Sequence, residues 1–533
     1  MRIFSQKKFL QVLAILMIGV ITIPIFGSFI ETGSIFFHSL FKDSQITQEI
    51  QSNLNHFFSF LYWRFLKNTF WTTLFVCLCS CFIGVSCAYL VSYFDFFLSK
   101  VLEKILFLPL AIPAYILAFV YVGIMDFGGI FYEIFGFRID FFNLYGNIFV
   151  LTISLFPYIY ILAKTSFSTQ SIQFYEVAQT MQYSQWQIFL KISLPLAKPA
   201  MMAGILLVLM ETLSDYGASA YLGVDTFSAG IFKLWYDLND PYSSSILAII
   251  LMAFICILMS IEQRIKNQKH YSSNQNTRSL LKLTPLKGLQ SFLAFIYCFV
   301  IATLGFLLPL IWLLYWGLQD DKLFTKDFYL LALNSALVGG LSAFFTLICA
   351  LFLCFCARIS QPLSAFLLQS SSLGYSIPSA VVGVSVMIVS LFLSNLFKIP
   401  LLGTSLSILI FAYVIRFLAV AIFSIQSGYD KISPSLDEVS LNLNPSYWIL
   451  WFKIHIPLLK HFMFSALLIV FVDTIKELPL TRMLSPFGFE TLATKAFWYA
   501  SDERLYESAL PSLLIVCLSL LGMIILRSKN ARD

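Results

Sequence analysis

The chain has 533 residues, of which 59% are hydrophobic and 12% charged, with a formal net charge of +6. Soluble domains carry about 25% charged residues. The 56 phenylalanines and a mean hydropathy of +0.84 therefore exclude a water-soluble globule and fit a chain whose solvent is lipid. A membrane span needs about 20 apolar residues. The distribution predicts twelve, near 9–30, 70–94, 102–125, 145–166, 198–222, 244–262, 289–317, 331–357, 364–394, 401–425, 461–480 and 509–526. Backbone groups in lipid must be satisfied within their own segment, so the fold class is all-α and polytopic.

The first span follows Arg2, Lys7 and Lys8, as in a signal peptide. Only Phe26-Gly27-Ser28-Phe29-Ile30 follows it, with no small-residue cleavage site, which reads as an uncleaved first helix. An outer loop over about 31–66 comes next. The ten cysteines all lie inside apolar stretches and read as buried thiols with no disulfide framework. Between spans six and seven, Arg264, Lys266, Lys269, Arg278, Lys282 and Lys287 crowd a polar linker, and Arg527, Lys529 and Arg532 follow the last span. The positive-inside rule then puts both termini and this linker in the cytoplasm. That reading is preferred over a lipid or nucleic-acid patch, and no nucleic-acid partner is expected.

The linker divides the chain into a first half, 1–263, a tether, 264–287, and a second half, 288–533. Each half holds six spans, and the halves repeat one another. Glu176-Val177-Ala178, Trp186 and Ile192-Ser193-Leu194-Pro195 recur as Glu438-Val439-Ser440, Trp448 and Ile454-His455-Ile456-Pro457, each 262 positions later. Ile112-Pro113 matches Ile377-Pro378 at 265, and Asn68 matches Asn334 at 266. Equal span counts and equal orientation imply a parallel repeat about an axis along the membrane normal, with a pore between the halves. By the same count the two polar loops, about 168–197 and 426–459, face the cytoplasm.

In the second loop Ser433-Pro434 supplies a cap and an N1 proline, and Asp437 and Glu438 suit the positive end of the helix dipole. Asn444-Pro445 breaks that helix and opens another. Leu441, Tyr447, Trp448 and Trp451 read as exposed apolar knobs, matched in the first loop by Met181, Tyr183, Trp186 and Phe189. Such a loop presented twice suits a two-fold symmetric soluble partner better than a bilayer surface, which would want flanking basic residues. His455 reads as part of this coupling surface.

These loops resemble the EAA loop of importer-type ABC transporter permeases. In that family the loop is a helix that sits in a groove of a cytoplasmic ATPase subunit. The resemblance implies an ATPase-coupling role for Glu176, Val177, Ala178, Gln182, Trp186 and Pro195, and for Glu438, Val439, Ser440, Asn444, Trp448 and Pro457. Gln182 and Asn444 replace the family's central glycine; asparagine tolerates a left-handed turn more readily than glutamine. The strings Glu211-Thr212-Leu213-Ser214-Asp215-Tyr216-Gly217 and Gly223-Val224-Asp225-Thr226-Phe227 resemble the fused, twelve-span permeases of ferric-iron importers, as do Lys476-Glu477-Leu478-Pro479 and Phe487-Gly488-Phe489-Glu490-Thr491-Leu492-Ala493. That implies a periplasmic ferric-iron-binding protein as donor, a dimer of ATPase subunits as motor, and a permease in the bacterial inner membrane.

Ionisable residues in a span are functional candidates by default. Glu211 and Asp215, four apart on one predicted helix face, have their repeats in Asp473 and Glu477. Lys476 and Arg416 add positive charge. Carboxylate oxygens suit a hard cation such as ferric ion, so Glu211, Asp215, Asp473 and Glu477 are candidate transient ligands along a substrate path. Equally, Lys476 or Arg416 could neutralise the acids and brace helix packing. No G-x-x-x-x-G-K-[ST] phosphate loop occurs, so ATP belongs to a partner chain. No catalytic set emerges from the five histidines, and no tightly bound cofactor is expected. The rival readings are the same machine with thiamine or a phosphonate as cargo, and a proton-coupled secondary transporter.

Overall fold

The computed structural model describes residues 2–29, 32–33, 44–169, 182–267, 283–319, 325–398, 405–443 and 446–530. Twelve helices in them are long and apolar enough to cross a membrane. They are α1 (Gln6–Phe29), α2 (Ile50–Tyr93), α3 (Ala114–Phe135), α4 (Leu144–Ser168), α5 (Gln185–Ser214), α6 (Pro241–Ile261), α7 (Leu289–Gly317), α8 (Lys326–Ile359), α9 (Ser379–Phe397), α10 (Leu406–Tyr429), α11 (Tyr447–Lys476) and α12 (Leu505–Leu526). All twelve expected spans are present. The outer loop differs from expectation, because a helix over Ser44–His56 runs through one wide turn into α2.

The repeat holds to the level of backbone angles. Spans three and nine break at the expected prolines: Ser99–Ile105 and a 3-10 turn precede α3, and Gln361–Ser376 precedes α9. Pro113 and Pro378 open the following helices at φ/ψ of −56/144 and −55/143. α5 and α11 each begin with a wide π turn, Phe189–Ser193 and Leu450–His455. Each ends on an extended acidic residue, Asp215 at −65/123 and Glu477 at −71/121. Both carboxylates therefore sit past the last helical turn, and Asp215 does not share a helix face with Glu211 as the spacing predicts.

The matched asparagines have a structural explanation. Asn68 Nδ2 donates to the Asp225 carbonyl at 3.2 Å and Asn334 Nδ2 to the Glu490 carbonyl at 3.1 Å. Next to them Thr69 accepts from the Phe227 N–H at 2.9 Å and Ser335 from the Leu492 N–H at 2.8 Å. Thr226 and Thr491 cap the helices that follow. Thus the twin strings around Asp225 and Glu490 are one turn, built twice and pinned to α2 and α8.

The halves are entwined. α1 leaves its own half and packs on Gln361–Ser376, α8 and α9, with the Ser28 and Ser385 hydroxyls 2.7 Å apart. Reciprocally, α7 packs on the first half: Tyr121 donates to the Leu304 carbonyl at 2.6 Å, and Ser86 meets Tyr297 at 2.5 Å. The last part of the tether docks as well. Thr284–Pro285 pairs in parallel with Phe94–Asp95, and the Leu286 N–H donates to the Asp95 carbonyl at 2.9 Å. Residues 268–282 of the tether lie outside the described residues.

Gly27 is where α1 touches α9 most closely. A Cβ there would lie 2.1 Å from the Ser385 carbonyl oxygen, a backbone atom that no rotamer change can move. Overpacking of this kind costs about 1–3 kcal/mol. Gly27→Val is expected to lower the thermal unfolding midpoint of the detergent-purified protein. Gly19→Ala, whose nearest neighbour would be 3.9 Å away, is expected to leave that midpoint unchanged.

Candidate functional site

A cavity of about 240 Å³ lies between the halves and is lined by the Ile112-Pro113 break, by Ser379 next to Pro378, and by the ends of α5 and α11. All six path candidates named from the sequence line it: Glu211, Asp215, Arg416, Asp473, Lys476 and Glu477. Tyr115, Tyr158, Ser154, Ser214 and Ser379 complete its polar wall. Tyr115 follows Pro113 by two positions, and only that break could have marked it in advance.

The two cations have defined acceptors. Lys476 Nζ donates to the Leu110 carbonyl at 3.2 Å, just before the break at Ile112-Pro113. Arg416 donates to the carbonyls of Gly374 and Ile377, just before the break at Pro378. A proline removes a donor and interrupts the ladder, and in a membrane the stranded carbonyls need partners. Each break is therefore held by a cation, and both cations come from the second half. Where the sequence suggests that Lys476 or Arg416 could neutralise the acids, these hydrogen bonds run to backbone carbonyls.

The four carboxylates differ in how far they are engaged. Asp215 accepts from the Ser219 N–H at 2.9 Å and the Ser219 hydroxyl at 2.8 Å, capping the short helix Gly217–Tyr221. Asn147 of α4 donates to that Ser219 hydroxyl at 3.1 Å. Toward Glu477 turn the Ser379 hydroxyl and the Leu480 N–H, while Glu477 Oε1 and the Tyr115 hydroxyl are buried without a hydrogen-bond partner. Among the described residues no three His, Cys, Asp or Glu side chains converge into a group that could hold a metal ion. The carboxylates are thus spread along the wall rather than gathered as one ligand set.

Tyr216 closes one end of this cavity and also lines a second one, of about 260 Å³, beside Arg64, Asp225, Lys233 and Asp237. It is clamped from the other half: Arg482 donates to its hydroxyl at 2.7 Å. A second contact between halves runs alongside, from the Tyr236 hydroxyl to the Met483 carbonyl at 3.0 Å. Phe232 and Phe497 stack on the Tyr216 ring with centroids 3.9 and 6.1 Å away. The sequence reading passed over Arg482, which belongs to no repeated string.

Of the residues expected to couple to an ATPase, Glu176, Val177, Ala178 and Asn444 lie outside the described residues, as does Met181. Gln182 adopts φ +57, so the left-handed turn forms despite its side chain. Ser184 and Gln187 then make a capping box, and Trp186 is exposed. In the second loop Pro434–Leu443 is helical, with Glu438 exposed and Ser440 buried. Pro195 and Pro457 sit in the first turns of the helices after the two π segments.

The apolar knobs of the second loop need correction. Tyr447 and Trp451 are buried, Trp448 half-buried, and Trp451 stacks on Phe355 at 5.4 Å. On the helix Pro434–Leu443 the exposed apolar residues are Leu436, Val439 and Leu443, on one helical face. His455 has no exposed surface, so it lies behind the coupling face.

Residues 80–269 match the family model described as binding-protein-dependent transport system inner membrane component. The Fe(3+)-transport system permease protein FbpB 2 of Haemophilus influenzae is 26% identical over 461 residues, covering 85% of this chain and 87% of that protein. The putative ferric transport system permease protein FbpB 1 of the same organism is 25% identical over 360 residues, 62% of this chain and 53% of its own length. The ferric transport system permease protein FbpB of Actinobacillus pleuropneumoniae is 25% identical over 323 residues, 56% and 45% respectively. Twelve helices able to cross a membrane and these matches make the chain a multi-pass inner-membrane protein similar, over residues 80–269, to the inner-membrane components of binding-protein-dependent transport systems and, over most of its length, to a Fe(3+)-transport permease.

Proposed function

We propose that this chain is the permease of an ABC importer that passes ferric iron from a periplasmic binding protein to the cytoplasm. A homodimer of separate ATPase subunits drives it, and both of its termini are cytoplasmic. The observation that carries the cargo assignment is the cavity between the halves lined by the symmetry-related pairs Glu211/Asp473 and Asp215/Glu477. The similarity to a Fe(3+)-transport permease over 85% of the chain supports the same reading.

Ionised, the four acids outweigh Lys476 and Arg416, so the cavity favours a cation, and carboxylate and phenol oxygens suit a hard one. An anionic cargo such as a phosphonate would meet those acids while both cations are engaged with backbone carbonyls. Dispersed oxygens also fit a conduit, which must release what it takes up. Tyr216 and Arg482 close the cavity on the side facing the binding protein. ATP binding draws the loops at Glu176 and Glu438 together, the halves rock, and this closure parts while the other end seals. Coupling requires only that each nucleotide state prefer one pore conformation.

The deciding experiment is uptake of radioactive ferric iron by cells carrying the chain with its ATPase and binding protein. Asp215→Asn with Glu477→Gln is expected to cut uptake by about tenfold or more, about 1.4 kcal/mol of barrier, since ionisable residues inside a span mark ion pathways. The ATPase should still co-purify. Glu176→Ala with Glu438→Ala is expected to abolish both uptake and co-purification. Wild type that moves no iron would overturn the cargo, and loop variants that transport normally would overturn the ABC mechanism.

Two further outcomes follow from the same geometry. Arg482→Ala is expected to raise ATP hydrolysis several-fold without the binding protein, because the outer closure loses its clamp. Gln182→Gly should raise the thermal stability of the purified protein, by about 1 kcal/mol, since glycine adopts positive φ without a Cβ clash.

A further inference from the structure

Behind the second coupling helix lies a cluster that the pore does not use. Asp437, on Pro434–Leu443, is bound from two sides: Arg358 Nε, at the end of α8, lies 2.7 Å from its Oδ2, and His455 Nε2, in the π turn that begins α11, lies 2.9 Å from its Oδ1. The Arg358 fork also donates to the carbonyls of Tyr429 and Ile432, both at 2.9 Å, at the end of α10. His455 is fully buried, edge-on to Phe355 and Tyr429 with centroids 5.5 and 5.2 Å away. One carboxylate thus ties the coupling helix to α8, the α10 turn and α11 together. Burial alone would raise the Asp437 carboxyl, but the hydrogen bonds and charges of His455 and Arg358 outweigh it and hold the group below its ordinary value. At neutral pH it is an anion.

Among the described residues of the first half no such cluster is found. By the repeat offsets Arg358 corresponds to Ser92, His455 to Ser193 and Tyr429 to Phe167, while the counterpart of Asp437 is Tyr175, outside the described residues. The Ser92 hydroxyl is buried without a hydrogen-bond partner, and Ser193 donates to the Tyr93 hydroxyl at 2.9 Å. Around them pack Tyr89, Tyr93, Phe167 and Phe189, with ring centroids 4.4 to 5.9 Å apart. Apolar ring contacts are non-directional and slide. A guanidinium fork and a carboxylate fix angles as well as distances.

We propose that Asp437, clasped by Arg358 and His455, is the joint that makes the second coupling helix move as one body with α8 and α11. The proposal rests on the reading that Pro434–Leu443 docks on the ATPase. Asp437 is a positioning residue; it acts through the helix it holds.

The test uses the full complex in proteoliposomes, with radioactive ferric iron supplied on the binding protein. Three quantities are read: ATPase co-purification, hydrolysis stimulated by the binding protein, and iron moved per ATP. Asp437→Asn keeps the shape and removes the charge; Arg358→Lys keeps the charge and removes the fork. Each is expected to retain the ATPase but to lower iron moved per ATP by at least about fivefold, the low end of a coupling free energy. Ser92→Ala, the first-half control, should leave the ratio unchanged. The proposal is overturned if either assembled variant keeps the wild-type ratio, if Ser92→Ala lowers it equally, or if neither variant assembles, which would make the cluster a folding element. Wild type that binds no ATPase would instead overturn the underlying reading of the loops.

Discussion

A helix cannot be interrupted among apolar neighbours unless its stranded carbonyls find donors, and this chain interrupts two. At Ile112-Pro113 and Ile377-Pro378 the freed oxygens are met by Lys476 and Arg416. Everything at the centre follows from that requirement. Two cations must stand where the breaks meet, and carboxylates around them lower the expense of holding those charges away from water. The breaks also turn the chain aside, which opens the cavity that the acids line. The polarity of the pore is thus partly a consequence of how its walls are bent, and the path residues and the bracing residues occupy one network.

The same prolines shape the contact between halves. After its break α9 packs on the first half's Phe227–Phe232 and on α6; after its own, α3 packs on the second half's Leu492–Ser501. Each half supplies a broken helix and receives the other's. With α1 and α7 exchanged as well, neither half covers its apolar faces alone. In the rocking motion proposed above, the exchanged helices stay seated while Tyr216–Arg482 and Tyr236–Met483 part. Contacts of the first kind bury whole helix faces; those of the second kind are two hydrogen bonds and the rings stacked around Tyr216 and Arg482. The closure is the weaker element, as a gate has to be.

Much of this was legible in the sequence because it rests on local rules. Apolar runs marked the spans, equal offsets marked the repeat, and prolines marked the breaks. What was not legible depends on tertiary contacts. Periodicity put Asp215 on the face of Glu211, but α5 ends one residue earlier and Asp215 caps the next helix instead. Trp451 looked like a docking knob because aromatic residues beside polar ones often are; a stack on Phe355 buries it. Gln182 looked unsuited to a left-handed turn, yet it adopts one. Arg482 and Arg358 gave no signal, since each acts on a partner far away in the chain.

One regularity appears only when the repeat and the structure are laid together. Arg416 and Lys476, which hold the breaks, replace Ser154 and Ser214 of the first half; Arg358 and His455, which hold the coupling helix, replace Ser92 and Ser193. In all four places the first half has a serine and the second a basic side chain. A permease assembled from two identical chains could not do this, because a cation introduced once would appear twice across the axis, facing its own copy. Two arginines at the position of Arg416 would bring like charges to one cavity and neutralise more of its acids. Fusing the halves removes that constraint. One half can then carry the charged fixtures while the other stays small and neutral at the same sites. The second half is accordingly the one that carries the charged fixtures, at the two proline breaks and behind the Pro434–Leu443 helix alike.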